Sequence, residues 1–373
     1  MKVPRRRILH VIPTLGEAGA ERQLSYLAAA LGRRDWEVHV AVRIMGPNAQ
    51  RLADAGIAVH VIPAISNYDP ISIVHLHMVI REVQPALIQT WIMQSDLLGG
   101  GVAQLCGIPW ILSERSSGEA YGQAGKHRAR ARLARRARAI VSNSHSGNSY
   151  WAGMVGDAVP RYVIPNALPL EEIASAPLLE PADWRPPGRP LIASVGRLMR
   201  VPKNTHGFVL GLRAVIPRTD ARAIICGEGP ARGEIESLID LFGMQANVRL
   251  AGTALKVWSV LKTADVLVAA SFYEGNPNAV LEAMASGCPL VVSDIPAHRE
   301  LLDETTALFV DPTSPTSIGE GVLAVLRDPD AARCRSIKAR GRVAELTIEQ
   351  MASQYEGVYE DVLAGSSREH SRN

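Results

Sequence analysis

The chain alternates regularly between short apolar runs and longer stretches with helical spacing, and this alternation constrains its fold more than any other feature. Alternating strand and helix units predict parallel sheets that helices cover on both faces. With 373 residues, the chain is long enough for two domains, each with its own core. Strands are predicted at 8–12, 38–44, 59–62, 86–90, 110–112, 139–142 and 162–164, and in the second half at 191–195, 223–226, 248–251, 266–269, 290–292 and 308–310.

Seven prolines between residues 165 and 190 separate the two groups of strands, a composition typical of an exposed linker. The sequence therefore predicts an α/β chain with two Rossmann-like, doubly wound domains, residues 1–176 and 177–345. Ligands bind outside the carboxyl ends of the strands in such sheets, so two facing edges would form a deep central cleft. Residues 346–373 are expected to form a final helix over 349–364 and a frayed polar tail. The sequence leaves open whether this helix crosses back to the first domain.

Composition excludes several other classes of protein. The chain is 47% apolar and 21% charged, unlike a disordered or fibrous protein. Its longest uncharged run, 97–113, contains glycines and a proline that disfavour a membrane-spanning helix. The basic start imitates a signal peptide, but the apolar run that follows is short and contains His10 and Pro13, so a first buried strand is the better interpretation. Four scattered cysteines without a Cys-x-x-Cys pair favour buried, reduced thiols in a cytoplasmic protein.

The net charge of +3 is distributed unevenly. Residues 1–170 contain 19 Lys and Arg against 11 Asp and Glu, whereas the remainder contains 21 against 26. A helix predicted over 126–138 carries much of this excess, and Arg130 interrupts its apolar side. Such a helix suits an anionic membrane or substrate, although a solvated arginine-rich surface explains it equally well. The basic face comprises Arg128, Arg132, Arg135, Arg136 and Arg138, and the opposite face comprises Ala129, Leu133, Ala134 and Ala137.

The most informative segment is 271–289, where a buried strand is followed by a polar turn and a short, nearly apolar helix. Asn276 is predicted as the N-cap and Pro277 as the first helical residue. Glu282 then lies within a buried helix, where a carboxylate requires a partner. An ion pair would satisfy it, and so would the hydroxyl groups of a ligand such as a ribose. Glu274 lies at the strand end, and the free amides at the helix start would suit a phosphate.

Three other loops follow predicted strands and have features of phosphate-binding loops. The Gly-Arg-Leu sequence at 196–198 and the nearby Lys203 place two cations after a strand, which suits a diphosphate but is also common on surfaces. The Gly-Glu-Gly-Pro sequence at 227–230 permits close backbone approach to a ligand but is also an ordinary turn. The loop at 15–22 opens a helix without matching a dinucleotide-binding motif. No metalloprotease, hydrolase or Walker motif occurs and no Asp-x-Asp follows a strand, so no metal site, cofactor or nucleic-acid partner is expected.

Together these segments resemble the retaining glycosyltransferases of family 4, which have the GT-B fold, and the resemblance covers most of the chain. Its most specific part is the sequence Glu-Gly-x-Pro-x-x-x-x-Glu-Ala-Met-Ala-x-Gly-x-Pro at 274–289. Supporting segments are 196–198 with Lys203 and Asn204, 227–230, Asn143-Ser144, Ile164-Pro165-Asn166, 19–22, and 91–98 with Ser113-Glu114-Arg115.

The resemblance implies roles for individual residues. Glu274 would contact hydroxyl groups of the donor sugar, and Arg197 and Lys203 would neutralise the departing diphosphate. These three are the candidate catalytic residues. Glu282 would hold the nucleotide ribose, and Gly19 would let the amino-terminal loop approach the phosphate. Further substrate contacts are expected from Glu228, Gly275, Asn276, Asn278 and Ala279, and from Gln94 on the acceptor side.

The implied activity is metal-independent transfer of a hexose, with retention, from a UDP-sugar rather than a GDP-sugar to a polysaccharide or lipid-linked oligosaccharide. Peripheral contact with the inner face of the cell membrane through 126–138 is expected. The chain departs from the family pattern at Gln94, where a histidine is frequent, and glutamine carries no proton at neutral pH. It departs also at Ala18 and Ala167, where the family has glycines. Two alternatives are left open: a non-catalytic nucleotide-sugar-binding protein, and a glycosyl phosphorylase or epimerase on the same fold.

Overall fold

The computed structural model describes residues 6–63, 69–121, 125–179, 188–253 and 257–370. The chain divides into two compact units. The first contains the chain up to Ala167 together with the segment from Leu346 onward, and the second is Leu168–Glu345. Each unit has a parallel sheet with helices on both faces, which confirms the predicted fold class.

The first unit is built around a seven-stranded parallel sheet. Its strands are β1 (Arg6–Thr14), β2 (Trp36–Ile44), β3 (Ala58–Val61), β4 (Leu87–Trp91), β5 (Trp110–Glu114), β6 (Ala139–Ser142) and β7 (Arg161–Val163). Their order in the sheet is β3-β2-β1-β4-β5-β6-β7, so the direction of winding reverses between β1 and β4. The central strands β4, β5 and β6 are buried along their whole length, because helices cover a parallel sheet on both faces.

Helices cover both faces of this sheet. They are α1 (Gly19–Gly32), α2 (Asn48–Asp54), α3 (Pro70–Val83), α4 (Met93–Leu105), α5 (Gly125–Ala134), α6 (His145–Val155) and, at the end of the chain, α15 (Ile348–His370). The core on one side of the sheet includes residues of α1 and α15, with Trp36, Trp91 and Tyr355 fully or almost fully buried. The core on the other side includes residues of α3, α4, α5 and α6, with Trp110 and Trp151 at its centre.

The second unit has a six-stranded parallel sheet. Its strands are β8 (Leu191–Val195), β9 (Arg222–Cys226), β10 (Val248–Gly252), β11 (Val266–Ala269), β12 (Leu290–Ser293) and β13 (Leu308–Val310). Its helices are α7 (Leu170–Ser175), α8 (Thr205–Thr219), α9 (Arg232–Leu241), α10 (Val257–Thr263), α11 (Asn278–Ser286), α12 (Pro296–Arg299), α13 (Pro315–Arg327) and α14 (Pro329–Arg342). The strand order is β10-β9-β8-β11-β12-β13, so the winding reverses between β8 and β11.

The division between the units falls before α7, rather than after residue 176 as predicted. The short helix α7 packs against α11 of the second unit. The Lys262 ammonium donates to the carbonyls of Ala174 and Ala176 at 2.8 and 2.5 Å, which satisfies the carboxyl-terminal end of α7. The sequence prediction placed these residues in the first domain, within the proline-rich stretch 165–190, and did not identify a helix there. Prolines 181, 186 and 187 of that stretch lie outside the described residues.

Two predicted helices have different bounds in the structure. The basic helix ends at Ala134 instead of 138, so its last three arginines follow the helix, and Ala129 is exposed instead of inward-facing. The final helix α15 starts at Ile348 and extends to His370, beyond the predicted end at 364. No helix within the described ranges is long and apolar enough to cross a bilayer.

Arg130 is buried instead of interrupting an amphipathic surface. Its guanidinium, 2% exposed, pairs with Asp96 at 2.7 Å and with Glu114 at 2.9 Å, and both carboxylates are at most 1% exposed. Glu114 also accepts from Trp151 at 2.9 Å and Tyr121 at 2.6 Å. Burial raises the pKa of Asp96 to about 6, although Arg130 opposes the shift. This network joins α4, β5, α5 and α6 behind the first sheet.

The cysteines differ in environment. Cys226 and Cys288 are buried, and burial raises the pKa of each thiol to about 12, so both stay protonated. Cys106 is partly buried and Cys334 is exposed. The prediction of four buried thiols is therefore wrong for Cys334.

Candidate active site

A pocket in the second unit lies at the carboxyl ends of β8 and β11, where the direction of winding reverses. Open α/β sheets bind ligands at this position because the loops on the two sides diverge there. Four of the predicted site residues line the pocket together, namely Arg197, Lys203, Glu274 and Ala279. Arg197 and Lys203 come from one sequence motif and Glu274 and Ala279 from another, and the sheet brings the two loops to one edge.

Glu274 is the central carboxylate of this pocket. Its side chain is 13% exposed, and its Oε1 accepts from the Lys203 ammonium at 2.6 Å and from the Ser271 hydroxyl at 2.7 Å. Burial raises the pKa of this carboxyl, but Lys203 and the Ser271 hydroxyl lower it, and the resulting pKa is below the ordinary value. Glu274 is therefore ionised at neutral pH. Within the described part of the chain, both of its side-chain hydrogen bonds are made through Oε1.

Backbone contacts hold the loops of Lys203 and Glu274 against each other. The Phe272 amide donates to the Pro202 carbonyl at 2.8 Å. Asn204 is 5% exposed, and its side-chain amide donates to the carbonyls of Ala270 at 3.1 Å and Pro312 at 2.7 Å. Asn204 makes these bonds from a left-handed backbone conformation, with φ +52°, which asparagine tolerates better than most residues. Asn204 was part of a recognised motif, but nothing in the sequence indicated this role.

The Gly-Glu-Gly turn after β9 supports the loop that carries Arg197. A Cβ at Gly227 would overlap the carbonyl oxygen of Gly196, and one at Gly229 would overlap that of Leu198. The Leu198 amide donates to the Glu228 carbonyl at 3.0 Å. The Glu228 side chain is not part of this backbone bond, because its Oε1 accepts from the Arg232 guanidinium at 2.6 Å. Both glycines therefore permit close packing of two loops, an effect that the motif alone did not reveal.

Arg197 and Lys203 give the pocket its positive charge. Arg197 is exposed and Lys203 is 27% exposed, so both cations are accessible from solvent. A guanidinium can bind a phosphate in a bidentate manner, whereas an ammonium contributes a compact point charge. The pair therefore suits an anionic group placed beside the Glu274 carboxylate.

The helix α11 begins one residue later than predicted. Asn278 is its first residue and Pro277, with φ −75° and ψ 98°, is its N-cap, so the prediction of Asn276 as N-cap is wrong. Gly275 and Asn276 are buried in the turn before it. Glu282 lies one turn into α11 and is 4% exposed, as expected for a carboxylate inside an apolar helix.

His298 adjoins this site and was not identified from the sequence. It is fully buried, and its Nδ1 lies 2.8 Å from the carbonyl of Ser293. Burial lowers the pKa of His298, and the Glu274 charge opposes this shift. The imidazole is therefore neutral at pH 7 and donates its Nδ1 proton to Ser293.

The two predicted residues of the first unit lie at the carboxyl edge of its sheet. Gly19 is the first residue of α1, which follows β1, and Ala18 is its N-cap. Gln94 lies in the first turn of α4, which follows β4, and its side-chain oxygen is buried without a hydrogen-bond partner among the described residues. Nearby, the Trp91 indole donates to His10 at 3.2 Å. Burial lowers the pKa of His10 to about 3, so this contact is uncharged at neutral pH.

Comparison with known sequences gives the family. The profile "Glycosyl transferase 4-like domain" matches residues 18–167, and the profile "Glycosyl transferases group 1" matches residues 189–328. EpsF of Bacillus subtilis (strain 168), which is named as a glycosyltransferase, is 25% identical over 79% of this chain and 80% of its own. The alpha-D-kanosaminyltransferase of Streptomyces kanamyceticus is 28% identical over 48% of this chain and 46% of its own.

Solved structures give the same result for the fold. HepE of Anabaena, crystallised with UDP and glucose, superposes with a TM-score of 0.84 at 17% identity and covers 96% of this chain and 100% of its own. The sucrose-phosphate synthase of Thermosynechococcus elongatus has a TM-score of 0.82 at 20% identity, covering 97% of this chain and 100% of its own. The protein has the GT-B fold and belongs to the family 4-type glycosyltransferases.

Proposed function

We propose that this glycosyltransferase transfers a hexose from a UDP-sugar, with retention and without a metal, and that the pocket at β8 and β11 binds the donor. One observation carries the proposal: the Glu274 carboxylate, 13% exposed, is bonded to Lys203 at 2.6 Å, and Arg197 lines the same pocket. UDP is favoured over GDP because HepE was crystallised with UDP and with UDP-glucose.

The reaction breaks the bond between the sugar and the diphosphate, so negative charge accumulates on the leaving oxygens. Arg197 and Lys203 are preorganised to stabilise that charge, and they require no metal to do so. Glu274, anchored through Oε1, orients the sugar by accepting from its hydroxyl groups through Oε2. The leaving phosphate then takes the proton of the acceptor hydroxyl, so no separate base is required.

Other residues complete the proposed donor site. Glu282 accepts from the ribose, and the backbone from Gly275 to Ala279, including Asn276 and Asn278, contacts sugar and phosphate. Glu228 contributes through its backbone, because its side chain is paired with Arg232. In the first unit, Gln94 hydrogen-bonds an acceptor hydroxyl.

The proposed acceptor is a polysaccharide or a lipid-linked oligosaccharide, bound by the basic first unit of a cytoplasmic enzyme. Named relatives act on such molecules, among them a diphospho-undecaprenol-dependent transferase of Campylobacter jejuni that is 29% identical over 40% of this chain. Peripheral contact with an anionic membrane remains part of the proposal. Its candidate cations are Arg128 and Arg132 on α5 and Arg135, Arg136 and Arg138 after it.

Thermal unfolding with UDP, GDP and ADP tests the choice of nucleotide. UDP at about 100 times its dissociation constant should add about 2.7 kcal/mol to the free energy of unfolding. GDP and ADP at equal concentration should add much less. An equal or larger shift with GDP would contradict the proposed donor.

Variants of Glu274 then test turnover. Glu274→Gln should keep UDP binding but lower sugar transfer at least about a hundredfold, because the carboxylate contacts the sugar rather than the nucleotide. Glu236→Gln, an exposed glutamate of the same unit, is the matched control. If the wild type and all variants bound UDP-sugars but none transferred the sugar, the chain would be a binding protein. Sugar phosphate formed with inorganic phosphate would indicate a phosphorylase.

A further inference from the structure

Arg115 lies at the carboxyl edge of the first sheet, and its neighbours hold it in a fixed orientation. It is the first residue after β5, and its guanidinium stacks on the indole of Trp91, with the central carbon 4.9 Å from the ring centroid. The guanidinium also donates to the side-chain oxygen of Asn166 at 2.5 Å and to the Tyr355 hydroxyl at 3.5 Å. Because Trp91 and Tyr355 are fully buried, they fix the plane of the guanidinium.

Arg115 differs from the buried Arg130 in having no ion pair. Arg130 pairs with two carboxylates, whereas the side-chain partners of Arg115 in the described part of the chain are all uncharged. The Nε of Arg115 is buried and has no hydrogen-bond acceptor among those residues. Burial lowers the pKa of Arg115, but an arginine still stays protonated at neutral pH. A partly buried cation without a counter-ion is costly, which indicates that an anion binds there.

The carboxylate of the preceding residue, Glu114, does not serve as that counter-ion. It attracts the charge of Arg115, but none of its hydrogen bonds comes from the Arg115 guanidinium. A carboxylate has about four sites for hydrogen bonds, and other donors already fill those of Glu114. These donors are the backbone amides of Arg115 and Ser116, the Tyr121 hydroxyl, the Arg130 guanidinium and the Trp151 indole.

Other polar groups at the same edge of the sheet also lack partners. Gln94 follows β4, Ser117 follows β5 and Asn143 follows β6, and in each a side-chain oxygen is buried with no hydrogen-bond partner among the described residues. The Asn143 amide donates to the Glu114 carbonyl at 3.1 Å, which places Asn143 beside the end of β5. Buried polar groups are normally satisfied, and ligands bind at this edge of a parallel sheet. The unsatisfied oxygens therefore suit the hydroxyl groups of a saccharide.

We propose that the acceptor saccharide carries an anionic oxygen group, a carboxylate or a phosphate, and that Arg115 binds this group. The fork of the guanidinium matches either group in a bidentate manner. Gln94 and Asn143 bind hydroxyl groups of the same saccharide. The donor diphosphate has its own cations in the second unit, Arg197 and Lys203, so the anion at Arg115 is assigned to the acceptor. The inference rests on the proposed function in so far as the first unit binds the acceptor.

NMR titration of the full chain with matched pairs of saccharides tests this assignment without a donor. The pairs are methyl glucuronide with methyl glucoside, methyl galacturonide with methyl galactoside, and glucose 6-phosphate with glucose. The wild type should bind at least one anionic saccharide about tenfold or more tightly than its neutral partner, because the neutral partner leaves Arg115 unpaired. Preference within the first two pairs identifies a carboxylate, and preference within the third identifies a phosphate.

Variants of Arg115 locate the preference. Arg115→Gln should bring the two affinities of the preferred pair to within about twofold of each other, with the neutral affinity unchanged. Arg115→Lys keeps the charge without the fork and should show an intermediate preference. The ratio is measured within one variant, so partial unfolding changes both affinities alike and leaves the ratio intact.

Arg213→Gln is the matched control, since Arg213 is an exposed arginine of the second unit that stacks on Phe242 at 5.1 Å. It should keep the wild-type ratio. The proposal is overturned if the wild type prefers none of the anionic saccharides, or if Arg115→Gln keeps the preference. Loss of the preference in Arg197→Gln would also overturn it, because the anion would then bind in the donor pocket. Failure of UDP to stabilise the protein would contradict the proposed donor and leave these ratios unaffected.

Discussion

Ser271 lines the same pocket as Glu274 and, together with Lys203, favours its ionised form. Its hydroxyl, on a side chain that is 4% exposed overall, donates to Oε1 at 2.7 Å and so favours the ionised carboxylate. Ser271→Ala should therefore raise the pKa of Glu274 and move the acid limb of the rate profile to higher pH. The rate at neutral pH should fall by about threefold to tenfold, because the carboxylate loses one of its two anchors. Initial rates measured against pH check both effects.

Ser286→Ala is the matched control, because it deletes a hydroxyl at the other end of the same motif. Ser286 is the last residue of α11 and does not line the pocket. It should leave the pH profile unchanged. If Ser271→Ala reduced the rate with no movement of the acid limb, its role would be structural only.

Asp96 determines a pH dependence of stability. Its folded pKa of about 6 is above the ordinary value of 3.8, so it favours folding most when protonated and loses that contribution as pH rises through 6. A pKa shift of this size corresponds to a loss of about 3 kcal/mol. As the pH is raised from 4 to 7, the thermal midpoint of the wild type should therefore decrease relative to that of Asp96→Asn.

The comparison with Asp96→Asn removes the contributions of other carboxylates that titrate in the same range. Arg130 stays protonated throughout, since Glu114 and Asp96 raise its pKa despite burial, so it adds no slope of its own. A constant difference between the two proteins across this range would contradict the assignment.

At the scale of elements, the loops after β8 and β9 must touch for the donor pocket to exist. Gly227→Ala places a methyl group onto the Gly196 carbonyl and forces an alanine to φ +140°. Overlap with a backbone atom cannot be relieved by a rotamer change. The variant should lose about 2–4 kcal/mol of stability and bind UDP at least about tenfold more weakly. Thermal unfolding and calorimetric titration with UDP measure the two effects.

Gly233→Ala provides the contrast, since it lies in α9 and a Cβ there meets nothing within 4 Å. It should stabilise the protein by up to about 1 kcal/mol, because alanine favours the helix more than glycine. If both glycine variants bound UDP like the wild type, the contact between the loops would not support the donor pocket.

The strands and helices differ in how well their positions can be predicted from the sequence. All thirteen strands were predictable, because buried parallel strands leave an apolar run that needs no knowledge of neighbours. The basic helix was misread because the partners of Arg130 lie 34 and 16 residues away, at Asp96 and Glu114. The start of α11 was misplaced because Asn276 is a good N-cap locally but is buried in the turn instead.

The candidate site was predictable to the extent that it consists of motif residues. Glu274, Lys203 and Arg197 each follow a strand, and parallel strands bring their carboxyl ends to one edge. Ser271, Asn204 and His298 act through bonds to backbone or to other side chains, and such bonds depend on how loops fold back. No spacing in one sequence encodes them.

At the scale of the whole molecule, the last helix belongs to the unit in which the chain began. In α15, Tyr355 and Tyr359 are fully buried in the core of the first unit, and the Tyr359 hydroxyl donates to Gln89. Tyr359→Ala should remove about 3–5 kcal/mol from the stability of that unit, since it leaves a cavity and an unsatisfied amide. Because the proposed nucleotide contacts lie mainly in residues 168–345, UDP affinity should change by less than about twofold.

Calorimetry with and without UDP separates these two consequences. UDP should raise an unfolding transition of Tyr359→Ala by as much as in the wild type, while the transition of the first unit moves to lower temperature. Tyr162→Phe is the control. Tyr162 is half-buried, and its hydroxyl donates to Asp361 of α15 at 3.2 Å. The substitution keeps the ring, so the loss of stability should be at most about 1 kcal/mol. If Tyr359→Ala lost UDP affinity as well as stability, the nucleotide site would depend on the first unit. The assignment of the donor pocket to the second unit alone would then be wrong.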